Sequence, residues 1–380
     1  MQIRRLLHVS IIVAASVFIL SSFSAVRYVL DHPGDSVQQN LASWARNKGL
    51  GRVVDALEAR LHDTAPSTAP ADSLALVDDG GTESSATSTT LAAATTTTVA
   101  NQPANIEPRI RPALAGEGNW RSVATVRKKT VVWATSLRPL QDYGSVVATV
   151  ALYDPRDVHT ALFNGSELPG GGPWVNGKRI TKEARPALIA SFNGGFRFEH
   201  WPGGYFTEGK MVQKLKPGYA TFAIDNKGFG TVGVWGDDLK DDGRWVSLRQ
   251  NLPPLVHRGD IVYQNYPHIN WGKDYNNKIF NFRSAVCVRT DGRMMFVAVG
   301  DVNIDMLART LIVIGCSTGM ELDINGTWPL FTTWNGFGTM SRWGNKIDRR
   351  MGDPNRYIKG ATKDFFALFD PVTLPPDVVR

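Results

Sequence analysis

Polar and apolar positions change period along this chain, and each change marks a different kind of segment. From Val9 to about Leu30 the chain is almost continuously apolar, broken by serines and Arg27. Such a run is near the roughly 20 residues that cross a bilayer as a helix. Arg4 and Arg5 precede it. That order predicts a signal anchor in the cell membrane, with a cytoplasmic N-terminus and the main domain extracytoplasmic. Phe23 in Phe23-Ser24-Ala25 spoils the small-residue pair that cleavage of a signal peptide needs. From Asp35 to His62 the period becomes helical, with Val37, Leu41, Trp44 and Ala45, then Val53, Val54, Leu57 and Leu61. Gly49 and Gly51 predict a break between two short helices. Their apolar stripes need a cover, which the outer leaflet, a second copy or the main domain would supply. From Thr64 to about Asn105 the composition turns to Thr, Ser, Ala and Pro, which predicts a disordered spacer.

Beyond Glu107 strand signals become frequent. They predict strands at Thr130–Thr135, Val146–Leu152, Ala187–Phe192, Ala220–Ile224, Thr231–Trp235, Ser284–Val288 and Met294–Val299. Asp225-Asn226-Lys227-Gly228 and Asp291-Gly292 read as hairpin turns. One helix stands out, at about Ile304–Cys316. The expected fold is therefore α+β: a mixed β-sheet domain with few helices, preceded by a single transmembrane helix and a disordered spacer. The expected layout is 1–31 cytoplasmic tip and anchor, 32–63 helical stalk, 64–106 linker and 107–380 main domain. The stalk is the expected self-association surface.

The pattern is densest between Arg283 and Trp328, which reads as strand, turn, strand, helix, strand. At its end, alternation puts Met320, Leu322 and Ile324 on one face and Glu321, Asp323 and Asn325 on the other. Two carboxylates on one face could divide acid and base roles, and crowding would raise one pKa. Arg283 opens the first strand, where a guanidinium can hold phosphate or carboxylate with two parallel hydrogen bonds. A third candidate is Asn193-Gly194-Gly195-Phe196. There a buried strand runs into two glycines that let a ligand approach the backbone. The loop after it holds Arg197, Glu199, His200, Trp201 and Glu208.

Composition narrows the chemistry. The net charge is +7, but no Lys/Arg run carries it, so no nucleic-acid partner is expected. Eleven tryptophans supply flat platforms for a sugar ring, Trp201 and Trp328 among them. Cys287 and Cys316 are the only cysteines. They could bridge in an oxidising compartment, and two buried free thiols are the plainer reading. There is no G-x-S-x-G elbow, P-loop, H-E-x-x-H or paired C-x-x-C, and His257 and His268 lack metal-type spacing. No cofactor is required, and a divalent cation near Asp323 has no supporting ligand spacing.

Three motifs together resemble the phosphodiester glycosidase family, in a bacterial cell-surface branch. Asn193-Gly194-Gly195-Phe196 matches its N-G-G-F peptide. Arg283-Ser284-Ala285, followed by the Asp291-Gly292 turn, matches its R-[ST]-A strand. Leu322-Asp323-Ile324-Asn325-Gly326-Thr327 stands where the family has L-D-G-G-G-S. Order and spacing agree over roughly Ala187 to Trp334. The resemblance implies a hydrolase that releases a sugar from a sugar-1-phosphodiester, here in an envelope glycan or sugar-phosphate polymer. On that reading Arg283, Asn193, Gly194 and Gly195 clamp the phosphodiester. Asp323 assists water or the developing oxocarbenium charge, with Glu321 or Glu208 as partner acid. Asn325, Trp201 and Trp328 contact substrate. The alternative is a non-catalytic envelope protein that binds a glycan or assembles wall polymer.

Overall fold

The structure is a computed structural model, and it describes residues 21–61, 64–77, 101–201, 203–269, 271, 280–324, 326 and 328–380. Three sheets make up the domain, and all pairs between their strands are antiparallel. The largest has eight strands, in the order Arg121–Val126, Lys129–Leu137, Ala148–Tyr153, Met294–Val302, Asn281–Arg289, Cys316–Ile324, Val256–His257 and Asp260–Ile261. A five-stranded sheet runs Lys210–Gln213, Tyr205–Thr207, Trp245–Gln250, Ala220–Asp225, Gly230–Val234. Another runs Trp343–Lys346, Phe331–Asn335, Leu188–Asn193, Phe365–Phe369, His159–Phe163.

Alternation along the central strands explains how these layers pack. Val286, Met320 and Leu322 point into one core, where they meet Phe192, Phe331 and Phe366 of the neighbouring sheet. Ala285 and Cys287 point the other way, under Leu307 and Leu311 of the helix Ile304–Val313. Asn303 caps that helix, its side chain accepting from the Met306 N–H at 3.0 Å.

The fold expectation needs correcting. The domain is mostly β with few helices, as expected, and every strand pair in its three sheets is antiparallel where mixed pairing was expected. Hairpins join some of these strands, such as Asn281–Arg289 and Met294–Val302, while others, such as Leu188–Asn193 and Phe365–Phe369, pair across long stretches of chain. Among the described residues no helix is long and apolar enough to cross a membrane, so the expected transmembrane helix is not supported. The described helix there covers 21–31, and residues 1–20 of the expected anchor lie outside the described residues. The cysteines are also corrected: Cys287 and Cys316 form a disulfide. Each lies on the helix-covered side of its strand, and their Cα atoms are 5.8 Å apart, within bridging range.

The N-terminal region lies against the domain. Helices Val37–Ala45 and Gly51–Leu61 are joined by a π-helical turn, Arg46–Leu50, in which Gly49 takes a φ of 82°. The first helix docks through polar residues: Gln39, Asn40 and Ser43 are buried, while Val37 and Leu41 are exposed. Part of the expected linker is also packed. Ala71 donates to Gly144 O at 2.9 Å, and Leu76 bridges to Asp348. Residues 78–100 lie outside the described residues.

Candidate active site

The strand Leu188–Asn193 and the central strands Asn281–Arg289 and Cys316–Ile324 end together. The Asp323 N–H donates to Gly194 O at 3.0 Å, tying one sheet to the other. Asn193 is the knot. Its amide donates to Ser284 Oγ at 3.0 Å, and its oxygen accepts the Leu330 N–H at 3.0 Å. Ser284 in turn donates to Asp323 O at 2.6 Å. Gly194 is a packing requirement: a Cβ there would stand 2.2 Å from an Asp364 oxygen.

A bulge lies under the carboxylates. Arg283 pairs with Ile324 while Ala285 pairs with Glu321, two steps on one strand against three on the other. The extra residue breaks the alternation, as bulges beside functional sites do. Glu321 and Asp323 accordingly take different partners. Glu321 is fully buried, and its Oε1 accepts from Arg283 Nη1 at 2.7 Å. Its Oε2 is buried with no hydrogen-bond partner. Burial pushes Glu321 up to about 7; the Arg283 guanidinium opposes that shift and the Asp323 charge adds to it. Arg283 is 1% exposed and also donates from Nε to Val302 O at 2.8 Å.

Asp323 sits at the outer end of this seam, 5% exposed. Its Oδ1 accepts the Ile324 N–H at 3.0 Å, and its Oδ2 pairs with the ammonium of Lys363. That ammonium stands 4.0 Å from the ring centroid of Trp328, and Arg356 lies over the same ring at 5.2 Å. Burial holds Lys363 below the usual lysine range, and Asp323 pulls it back up. Next in the chain, Asp364 makes a fully buried ion pair with Arg249 at 2.8 Å. Arg249 also holds Phe196 O at 2.7 Å, and Asn251 bridges the Phe196 N–H to Glu321 O. These contacts fix the Gly195-Phe196 backbone, which a Cβ on Gly195 would crowd at 3.0 Å from Arg249 and Asn251.

The sequence candidates therefore separate. Asn193, Gly194, Gly195, Arg283, Glu321 and Asp323 come together. Trp328 joins them through Lys363. Glu208 does not: both its oxygens take backbone N–H groups, of Val175 and Asn176, at 2.9 Å. Trp201 packs in the helix-side core, stacked on Tyr219 at 5.9 Å with Lys216 over it. Asn325 lies outside the described residues. Lys363 and Arg356 are the residues missed. Arg356 opens the short helix Arg356–Lys359 and Lys363 lies in the polar stretch Thr362-Lys363-Asp364, and nothing in the sequence there pointed to the site. Among the described residues, one group could offer three metal ligands, Asp237, Asp238 and His257. Its carboxylates already face Arg258, at 2.8 Å for Asp237.

This is a β-rich domain whose polar seam ends in a paired carboxylate and ammonium beside an indole. The family model described as phosphodiester glycosidase matches residues 186–326, the segment that carries Asn193, Arg283, Glu321 and Asp323. That segment is similar to phosphodiester glycosidases. No curated protein matches the chain. Among solved structures, the chain is similar to the zebrafish N-acetylglucosamine-1-phosphodiester alpha-N-acetylglucosaminidase catalytic domain, auto-inhibited by its pro-peptide. That similarity is 16% identity and a TM-score of 0.43, over 66% of this chain and 87% of that one. It is also similar to a hypothetical protein from Synechocystis, at 11% identity and a TM-score of 0.40, over 65% of this chain and 63% of that one.

Proposed function

We propose that the chain hydrolyses a sugar-1-phosphodiester in an extracytoplasmic glycan or sugar-phosphate polymer and releases the sugar. The observation that carries this reading is the Asp323–Lys363 pair beside Trp328 at the end of the seam. Asp323 acts as base toward water. The water oxygen bonds to the anomeric carbon, and its proton passes to the carboxylate. The bond from that carbon to the phosphate oxygen breaks, and the electron pair leaves with the phosphate monoester. Lys363 supplies positive charge where that leaving group gathers negative charge, with the Trp328 indole beside it. Arg283 and Asn193 support the site from beneath, because their side chains are already engaged with Glu321, Val302, Ser284 and Leu330. The disulfide favours an oxidising, extracytoplasmic setting. No step calls for a cofactor.

The test is Asp323→Asn, assayed on synthetic sugar-1-phosphodiesters with detection of free sugar. Loss of general-base catalysis should cost about a thousandfold in kcat. The circular dichroism spectrum should stay native. A folded variant within about threefold of wild type would sink the assignment, since a lost base costs at least ~100-fold. Binding of the diester without turnover by the wild-type protein would equally remove it.

A further inference from the structure

The geometry points to a phosphate-binding pocket built by Arg356 and Thr362, next to the Asp323–Lys363 pair and filled in this structure by the chain's own Asp35 carboxylate. That the phosphate belongs to the substrate rests on the function proposed above; the pocket itself does not.

Asp35 precedes the helix Val37–Ala45, and its side chain is 1% exposed. Thr362 donates to Asp35 Oδ2 from Oγ1 at 2.6 Å and from its N–H at 3.4 Å. Arg356 Nε stands 3.2 Å from Asp35 Oδ1, yet that oxygen is buried without a hydrogen bond. A planar carboxylate thus meets these donors incompletely. A tetrahedral phosphate offers more acceptor oxygens in directions that a guanidinium fork and a hydroxyl can reach together. The same pocket borders the candidate active site. Arg356 and Lys363 both stand over the Trp328 ring, and consecutive residues Thr362 and Lys363 hold Asp35 and Asp323. The Arg197 charge also reaches Lys363, and Arg197 donates to Ser43 Oγ of the docked helix at 2.9 Å.

The segment that carries Asp35 is held in a way that an anion can compete with. Its buried residues are Gln39, Asn40 and Ser43, and its apolar Val37 and Leu41 face outward. Gln39 accepts from Arg356 Nη2 at 3.0 Å. Gly34 lets the segment close: a Cβ there would stand 1.9 Å from Gly360 O. A pocket filled from within lowers the apparent affinity for an outside ligand by the fraction of time it is open.

The probe is inorganic phosphate, titrated calorimetrically into the full-length chain. Two variants open the pocket by different routes. Asp35→Asn removes the competing charge and keeps the shape, while Gly34→Ala pushes the segment off and leaves every charge in place. Both should bind phosphate about tenfold or more tightly than wild type, the gain expected when a mostly closed site opens. Arg356→Met added to Gly34→Ala should remove the gain. Unchanged affinity in both opened variants overturns the pocket, and so does a gain that survives Arg356→Met. If phosphate binds as expected but no sugar-1-phosphodiester is turned over, the proposed function fails and the pocket stands.

Discussion

Glu321 shows how one residue's surroundings set its protonation. It lies 2.7 Å from a guanidinium, which favours the carboxylate, but complete burial outweighs that pairing and raises it from 4.5 to about 7. The unpartnered Oε2 fits that outcome, because a bare buried charge costs more than a neutral acid. The sign for stability follows. Between the unfolded and folded values the native state binds the extra proton, so stability falls as pH rises through that window. Glu321→Gln should flatten this slope from about pH 4.5 to 7. Comparing urea midpoints of variant and wild type across that range isolates Glu321 from histidines that titrate nearby. Parallel curves would mean that Glu321 is ionised throughout. Asp323 differs from it by two positions and by the bulge between them. Alternation in the sequence placed both carboxylates on one face, and it could not reveal that one would meet Arg283 and the other Lys363.

At the scale of elements, much of the domain was legible. Short apolar runs such as Met294–Val299 marked the central strands, because each side of those strands meets an apolar layer. The helix expected at Ile304–Cys316 is observed at Ile304–Val313, with Asn303 as its cap. Asn193-Gly194-Gly195 and Arg283-Ser284-Ala285 stood out because strand ends that interlock need small or hydrogen-bonding residues at fixed places. Long-range pairing was not legible. Cys287 and Cys316 are 29 residues apart in sequence, and only the antiparallel register brings them within reach. Reducing that bridge should cost about 3–4 kcal/mol, the loop-closure value for a ring of this size. Thermal melts with and without reductant check it, and an unchanged midpoint would show that the bridge adds nothing. Gly194→Ala tests the interlock directly. Its Cβ would fall 2.2 Å from an Asp364 oxygen whose partner is the buried Arg249. Breaking such a buried pair costs about 3–5 kcal/mol. The variant should melt well below wild type, and a melt within a degree or two would mean that the seam yields easily.

The whole molecule combines two kinds of adhesion. The sheets are held by continuous apolar cores in which Phe192, Phe222, Phe331 and Phe366 are fully buried. The helices at 37–57 are held by polar contacts, chiefly Asp35 and Gln39 to Arg356 and Ser43 to Arg197. Their apolar residues Val37, Leu41, Val53 and Leu57 are exposed, so their attachment buries little that water would resist releasing. Helical periodicity asked for a cover over those residues and left open whether the outer leaflet, a second copy or the main domain supplies it. The face that docks on the domain is the polar one, because the domain offers arginines there. Segments held this way open with less free energy than the global fold. Hydrogen exchange should therefore show amides in Val37–Ala45 losing protection long before those of Leu188–Asn193. Asp35→Asn removes one charge-assisted contact, worth about 1.5–3 kcal/mol. Exchange in that helix should then speed up about 10–100-fold, with the core strands unchanged. If helix and core instead exchange together in the wild type, the N-terminal helices belong to the cooperative unit. In that case the Asp35 pocket opens only when the domain itself unfolds.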